Sequence, residues 1–324
     1  SQLLKENNPH EDILAIAGSL GEKENIPTYI VGGYVRDTLL GKSCKDIDIM
    51  VEGDGIAFAK KLARELKVNV TVDYDKFGTA MIPYPDVEIE VATARIEKYR
   101  SDSRKPEVTS STIEEDMSRR DFTINAIAAS LLPSSFGELY DPFGGIKDLQ
   151  KGLIITPLDP DETFSDDPLR MLRAVRFAAQ LEYDVASTIL ESISRNINRL
   201  EIVSWERIRD EIIKSLTTNK PSIAFYLMKE TGLLAHVFPE MDIMSGVETI
   251  NGMGHKDVFI HTLQVVDNAA KLSDKMEIRF AALVHDIAKP PTKQFDPKKG
   301  WTFHGHDEIG RRMLKKVAQR MKLS

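Results

Sequence analysis

Lys45-Asp46-Ile47-Asp48-Ile49, set shortly behind Gly32-Gly33-Tyr34-Val35-Arg36-Asp37, is the stretch that decides the fold. Residues two apart on a strand project to the same face, so Asp46 and Asp48 point together into one site. Two anions held that close repel unless a cation lies between them, and oxygen-rich ligation is what Mg²⁺ prefers. The upstream segment reads as a strand from Tyr29 to Val31, a glycine turn, and a short helix ending near Gly41. A glycine turn leading into a helix N-terminus presents backbone N–H groups suited to phosphate. Together these features predict a magnesium–triphosphate site built for nucleotide transfer.

Such chemistry usually employs a third carboxylate to hold the ions and activate the attacking hydroxyl. Glu90, on a strand of its own from Val87 to Ala92, is the better candidate, with Glu88 two residues away on the same face. The alternative is that Asp46 and Asp48 only decorate an exposed strand face. The neighbouring pattern completes an α+β region. An apolar helical periodicity runs from about His10 to Leu20, another from Ile56 to Leu66, and short strands are expected over Val68 to Val72 and Thr79 to Pro83. The polar stretch from Lys98 to Ser111 reads as a mobile loop, and Asp141-Pro142-Phe143-Gly144-Gly145 as a turn that closes this region near residue 150. Beyond Thr163 the pattern is almost wholly helical, with a boundary around Met241 to Gly254.

Two further arginine–carboxylate groups stand out. Ser118-Arg119-Arg120-Asp121-Phe122-Thr123-Ile124-Asn125-Ala126 sets two guanidiniums beside a carboxylate. That set either clamps phosphate and orders a base, since arginine suits bidentate recognition, or forms a surface ion-pair cluster. Ser165-Asp166-Asp167-Pro168-Leu169-Arg170 opens a helix with Pro at its first position, and Arg173 and Arg176 continue an arginine stripe. Asp167 and Arg170 are neighbours at i and i+3. One reading makes Asp167 an N-cap and the arginines a solvated face. The other has Asp167 and Arg170 present hydrogen-bonding groups to a base edge while the remaining arginines hold phosphate.

Bulk properties bound these readings. The 324 residues suggest two or three domains, and 42% hydrophobic with 29% charged residues describes a globular chain. No apolar run approaches the roughly 20 residues of a membrane span, and the N-terminus lacks a signal-peptide pattern. Cys44 is the only cysteine, which excludes an internal disulfide framework and suits the cytoplasm. The charge of −7 is awkward for a nucleic-acid binder but does not exclude a local basic face. The sequence lacks an initiator Met and stops inside an amphipathic helical pattern, so it reads as a fragment missing something C-terminal.

The ordered set Gly32-Gly33, Arg36-Asp37, Asp46-x-Asp48, Arg119-Arg120-Asp121, Asp141-Pro142-x-Gly144-Gly145 and Asp167-x-x-Arg170 resembles the class II tRNA nucleotidyltransferase and bacterial poly(A) polymerase family. The resemblance implies a polymerase-β-like head over 1–150, a helical neck and RNA-binding region over 151–245, and a further helical domain over 246–324. It implies that Asp46 and Asp48 bind Mg²⁺ with Glu90 as third carboxylate, and that Gly33 and Arg36 touch the triphosphate. By the same resemblance Arg120 and Asp121 order sugar and base, Asp167 and Arg170 read the incoming base, and Arg173 and Arg176 support phosphate or base. Trp205-Glu206-Arg207-Ile208…Glu211 looks like the family's structural helical motif. The family usually has a glutamate where this chain has Asp166, one methylene shorter, while the pair Asp167 and Arg170 is intact.

Histidines crowd the C-terminal end, five of seven lying from His255 to His306. Leu283-Val284-His285-Asp286-Ile287-Ala288-Lys289 resembles an HD metal-dependent phosphohydrolase motif, with His261 as a third ligand to a transition metal. The downstream aspartate of that pattern falls beyond the sequence, so an incomplete HD fold and an active phosphatase are both open. The expected function is addition or repair of the tRNA 3′-terminal CCA from CTP and ATP, with the tRNA acceptor end as partner. Poly(A) polymerase and enzymes adding only CC or only A share every motif quoted, although −7 weighs against a grip on arbitrary RNA ends. An HD phosphohydrolase is the rival of another class. A non-catalytic RNA binder would have no use for the paired carboxylates.

Overall fold

A computed structural model describes residues 4–5, 8–68, 72–74, 78–98, 107–110, 112–246, 249–254 and 257–323. It divides into two compact units, residues 1–151 with 155–158, and residues 152–154 with 159–324.

The first unit is α+β. In chain order it comprises α1 (Glu11–Glu24), β1 (Thr28–Val31), α2 (Gly33–Leu39), β2 (Asp46–Val51), α3 (Gly55–Glu65), β3 (Val72–Tyr74), β4 (Thr79–Tyr84) and β5 (Val87–Thr93). It continues with β6 (Arg95–Lys98), β7 (Glu107–Ser110), α4 (Ile113–Ser118), β8 (Ala128–Ser130), β9 (Leu139–Tyr140) and α5 (Gly145–Lys151). Seven strands form one mixed sheet in the order β3-β4-β5-β2-β1-β8-β9, in which only β2 and β5 run parallel.

Alternation along β2 decides which face is wet. Ile47, Ile49 and Val51 are buried on one side of the sheet, where Ile89 and Val91 of β5 are buried as well. The α3 helix packs on β4 and β5 and buries Phe58, Ala59, Leu62 and Ala63. Each such large side chain contributes about 1.5–3 kcal/mol by leaving water. On the opposite face Met50 joins a second core cluster with Tyr29, Val31, Ile113, Met117, Ala126 and Ala128. Both faces therefore pin the register, since a one-residue slip would exchange them. Asp54 caps α3 through the amide of Ala57, and Thr112 with Glu115 forms a capping box on α4.

The expected loop from Lys98 to Ser111 is corrected at its ends. β6 and β7 pair antiparallel, from Arg95 opposite Ser110 to Lys98 opposite Glu107, while residues 99–106 lie outside the described residues. With one apolar residue per strand, Ile96 and Val108, among Arg, Glu, Lys, Thr and Ser, the ribbon gives no strong apolar alternation to read. Of the strand expected over Val68 to Val72, residues 69–71 lie outside the description and β3 starts at Val72.

The second unit is almost entirely helical: α6 (Pro160–Asp166), α7 (Leu169–Leu181), α8 (Ser187–Asn196), α9 (Trp205–Leu216), α10 (Ser222–Thr231), α11 (Leu233–Val237) and α12 (Pro239–Asp242). It ends with α13 (Val258–Leu272), α14 (Met276–Val284), α15 (Lys289–Thr292) and α16 (His306–Met321), plus short two-stranded pairings. Arg279 on α14 is buried and donates to the Leu216 and Thr218 carbonyls at 2.6 and 2.8 Å, which satisfies the open C-terminal end of α9. No helix is long and apolar enough to cross a membrane among the described residues.

Candidate active site

The carboxylates of the first unit converge on one sheet face. Parallel register sets Glu90 opposite Asp48 and Glu88 opposite Asp46. Asp46 and Glu88 are exposed, whereas Asp48 and Glu90 are half-buried. Burial pushes the Asp48 carboxyl up; the Arg120 guanidinium opposes that and the charge on Asp46 adds to it. Burial also raises Glu90, reinforced by Asp48 and opposed by Arg120. Four carboxylates, Asp46, Asp48, Glu88 and Glu90, beside the Arg120 guanidinium leave this face short of positive charge. An all-oxygen donor set with a charge deficit fits a hard divalent cation.

The turn before α2 is shaped around Arg120. Gly32 has φ +69°, and a Cβ there would lie 2.9 Å from Arg120 Nη1 and 3.9 Å from Asp48 Oδ2. Only glycine meets both conditions without strain. Arg120 Nη2 lies 3.6 Å from Asp116 Oδ2, and its buried Nε has no hydrogen-bond partner among the described residues. Gly33, the first residue of α2, faces the Arg36 guanidinium instead.

Arg36 is buried and belongs to a second network. Its Nε donates to Asp37 at 2.9 Å and its Nη1 to Asn125 Oδ1 at 2.6 Å. Asn125 Nδ2 in turn donates to Asp121 Oδ1 at 3.1 Å, which also accepts from the Phe122 amide at 2.8 Å. Asp121 is thus buried and committed inside the fold, and it orders Asn125 and through it Arg36. Sequence reasoning passed over Asn125, although it stands inside the quoted motif four residues after Asp121. Asp141 closes this region by accepting from the Gly145 and Ile146 amides at 2.6 and 3.0 Å.

In the second unit Asp167 sits between two helices, ending α6 and preceding α7. Its Oδ1 accepts from the Leu169 amide at 3.2 Å, as an N-cap would, and its Oδ2 pairs with Arg207 Nη2 at 2.9 Å. Arg170 lies on the first turn of α7 and donates from Nη1 to the Thr163 carbonyl at 3.3 Å. Arg207, on α9, is a second residue that sequence reasoning missed; it lies in the helical motif quoted as structural. The arginine stripe divides. Arg173 is part-exposed, with Nη1 3.9 Å from Glu211 Oε1. Arg176 is buried at 7% exposure, with Nε on Glu211 Oε2 at 2.6 Å and Nη1 on Gln180 at 2.9 Å, over the Phe177 ring. A guanidinium so placed secures α7 to α9.

His261, His285 and Asp286 bring one ligand atom each within 4.8 Å of the others. His285 Nε2 lies 3.1 Å and His261 Nε2 3.8 Å from Asp286 Oδ2. Lys289 Nζ lies on the same oxygen at 2.9 Å, so an ammonium competes there with any bound cation.

The sequence matches three families along its length. They are the Poly A polymerase head domain over residues 28–155, the probable RNA and SrmB-binding site of polymerase A over 182–244, and the HD domain over 258–323. Fold and matches together define the class, a polymerase-type nucleotidyltransferase head joined to helical regions. A multifunctional CCA protein of Nitrosococcus oceani is 37% identical over 306 residues, covering 91% of this chain and 70% of that protein. An A-adding tRNA nucleotidyltransferase of Geobacter sulfurreducens is 35% identical over 268 residues, 82% of this chain but 28% of that protein. Among solved structures, an apo CCA-adding enzyme superposes with a TM-score of 0.72 at 30% identity, covering all of this chain and 69% of that one. A CCA-adding enzyme complexed with CTP gives 0.71 at 30% identity, covering 99% and 69%. The chain belongs to the family of class II tRNA nucleotidyltransferases and bacterial poly(A) polymerases.

Proposed function

We propose that this chain is a tRNA nucleotidyltransferase that adds or repairs the 3′-terminal CCA from CTP and ATP in the cytoplasm, releasing pyrophosphate. The observation that carries the reading is the Asp46, Asp48 and Glu90 face beside Arg120, in a chain whose relatives bear CCA-adding names. In this reading the head spans 1–150, a neck and RNA-binding region 151–245, and an HD-type domain 246–324.

The primer 3′-oxygen bonds to the α-phosphorus as the bond to pyrophosphate breaks. Asp46, Asp48 and Glu90 would hold Mg²⁺, which when bound acidifies the hydroxyl and shields the leaving group. Gly33 and Arg36 hold the triphosphate, with Asn125 fixing the angle of Arg36. Arg120 balances the carboxylates and, with Asp121 behind it, orders the sugar. Asp167 accepts from an exocyclic amino group while Arg170 donates to the adjacent ring nitrogen, a pattern that C and A share and U and G lack. Arg173 supports the nucleotide, and Arg176 keeps the helix in place.

The test supplies tRNA ending before CCA, in C and in CC, with each nucleotide separately, and sequences the products. Ordered C, C and A addition is expected. A-only addition would place the chain with its A-adding relative, and long A tracts would make it a poly(A) polymerase. A second reading, metal-dependent phosphohydrolysis, has the His261, His285 and Asp286 cluster in its favour. Phosphate release from nucleotides that depends on an added transition metal would support it.

A further inference from the structure

The net charge of −7 hides one strongly basic surface. Arg311, Arg312, Lys315, Lys316 and Lys322 are all exposed along α16 and its C-cap. At 100° per residue they share an arc of roughly 140°. Val317 and Met321 are buried on the other side. Arg311 pairs with Glu308, and Lys322 with Glu206. Arg312, Lys315 and Lys316 have no carboxylate partner among the described residues. Glu308 lies on the same arc and pairs with Arg311, and from Arg312 to Lys316 the face carries three cations and no carboxylate.

The helix is held firmly, and its C-terminal end is anchored on α12 and α9. Arg320 makes two hydrogen bonds to Glu240, at 2.7 and 2.8 Å, and lies over the Trp205 ring. Arg209 Nη1 donates to the Lys322 carbonyl at 2.8 Å. Trp205 and Arg209 share one side of α9, and Arg207, which holds Asp167, points from the opposite side. From that junction the free cations lead back along α16 for about 15 Å at 1.5 Å per residue.

We propose that the Arg312, Lys315 and Lys316 face of α16 grips the phosphate backbone of the tRNA. The proposal rests on the tRNA reading above. It gives the HD-type region a binding role that does not depend on a metal at His285 and Asp286. Backbone contacts of this kind steer and position without reading sequence.

The test uses the full chain carrying Arg312→Gln, Lys315→Gln and Lys316→Gln together, three exposed changes that leave the buried face intact. Affinity for tRNA lacking CCA is measured across a KCl series, alongside the C-addition rate at saturating tRNA. The triple variant should bind on the order of tenfold more weakly at low salt, with the slope of log affinity against log salt reduced by about 2–3, and an unchanged saturated rate. An unchanged affinity and slope would overturn the proposal. So would a lower saturated rate with the slope retained, which would mark a structural defect. Phosphatidylserine vesicles are the second arm, and loss of vesicle binding with tRNA binding intact would assign the face to membranes and overturn it. If the unaltered chain bound no tRNA at all, the functional reading would fall first and the proposal with it.

Discussion

Gly32 and Asn125 show how single residues set the geometry of the head. Gly32 lets Arg120 approach Asp48, because it combines φ +69° with the absence of a side chain 2.9 Å from Nη1. Gly32→Ala should therefore strain the backbone by about 1–3 kcal/mol and displace Arg120. Its signature would be a fall in kcat larger than the rise in KM for CTP. Asn125 is the bridge from Asp121 to Arg36. Asn125→Ala would leave buried donors and acceptors unmet, at about 1–3 kcal/mol by denaturant unfolding. It should also raise KM for CTP by loosening Arg36, and an unchanged KM would detach Arg36 from triphosphate binding. Of this network the sequence displays the charged members, since arginines and aspartates in one motif stand out. A neutral amide that joins them from four residues away is invisible until the chain has folded.

At the scale of elements, the β2 strand and the helix pair α7–α9 differ in legibility for a physical reason. A period of two over Asp46 to Val51 admits one face assignment, so the carboxylates could be placed from sequence. Helix α7 is buried around much of its circumference, with Arg176 enclosed along with Met171, Leu172, Ala174 and Val175. Spacing alone then cannot separate a solvated arginine from one that meets a carboxylate on another helix. Glu211→Ala should reveal that pairing. It leaves a buried guanidinium uncompensated and should cost about 3–5 kcal/mol, seen as a lowered Tm, whereas Arg173→Ala on the part-exposed neighbour should cost much less. The link of α16 to α12 gives a pH-dependent prediction. Burial pushes the Glu240 carboxyl up, but its bonds from Arg320 and the backbone outweigh that and hold it below the ordinary 4.5. The folded value lies below the unfolded one, so this stabilisation is present above 4.5 and is lost as pH falls through the folded value. Glu240→Gln should flatten the acid side of the stability curve and leave its dependence above neutral pH unchanged.

For the whole molecule, reaction and choice are proposed to reside in different compact units, the carboxylates in the first and Asp167 with Arg170 in the second. That division predicts two separable phenotypes. Asp46→Ala removes one of three carboxylates and should abolish incorporation of CTP and ATP alike, because every nucleotide depends on the same phosphoryl chemistry. Arg170→Ala leaves those carboxylates in place and removes a directional donor, so incorporation should continue with weakened rejection of UTP and GTP. Loss of one well-formed hydrogen-bonding edge corresponds to about 1–3 kcal/mol of discrimination, or roughly 5- to 150-fold in relative kcat/KM. Product sequencing with the four nucleotides in competition reads both outcomes at once. If Arg170→Ala merely slowed all four nucleotides equally, base choice would have to reside elsewhere. The helical unit would then serve to hold RNA, and Asp167 would be no more than the cap that its bond to the Leu169 amide already makes it.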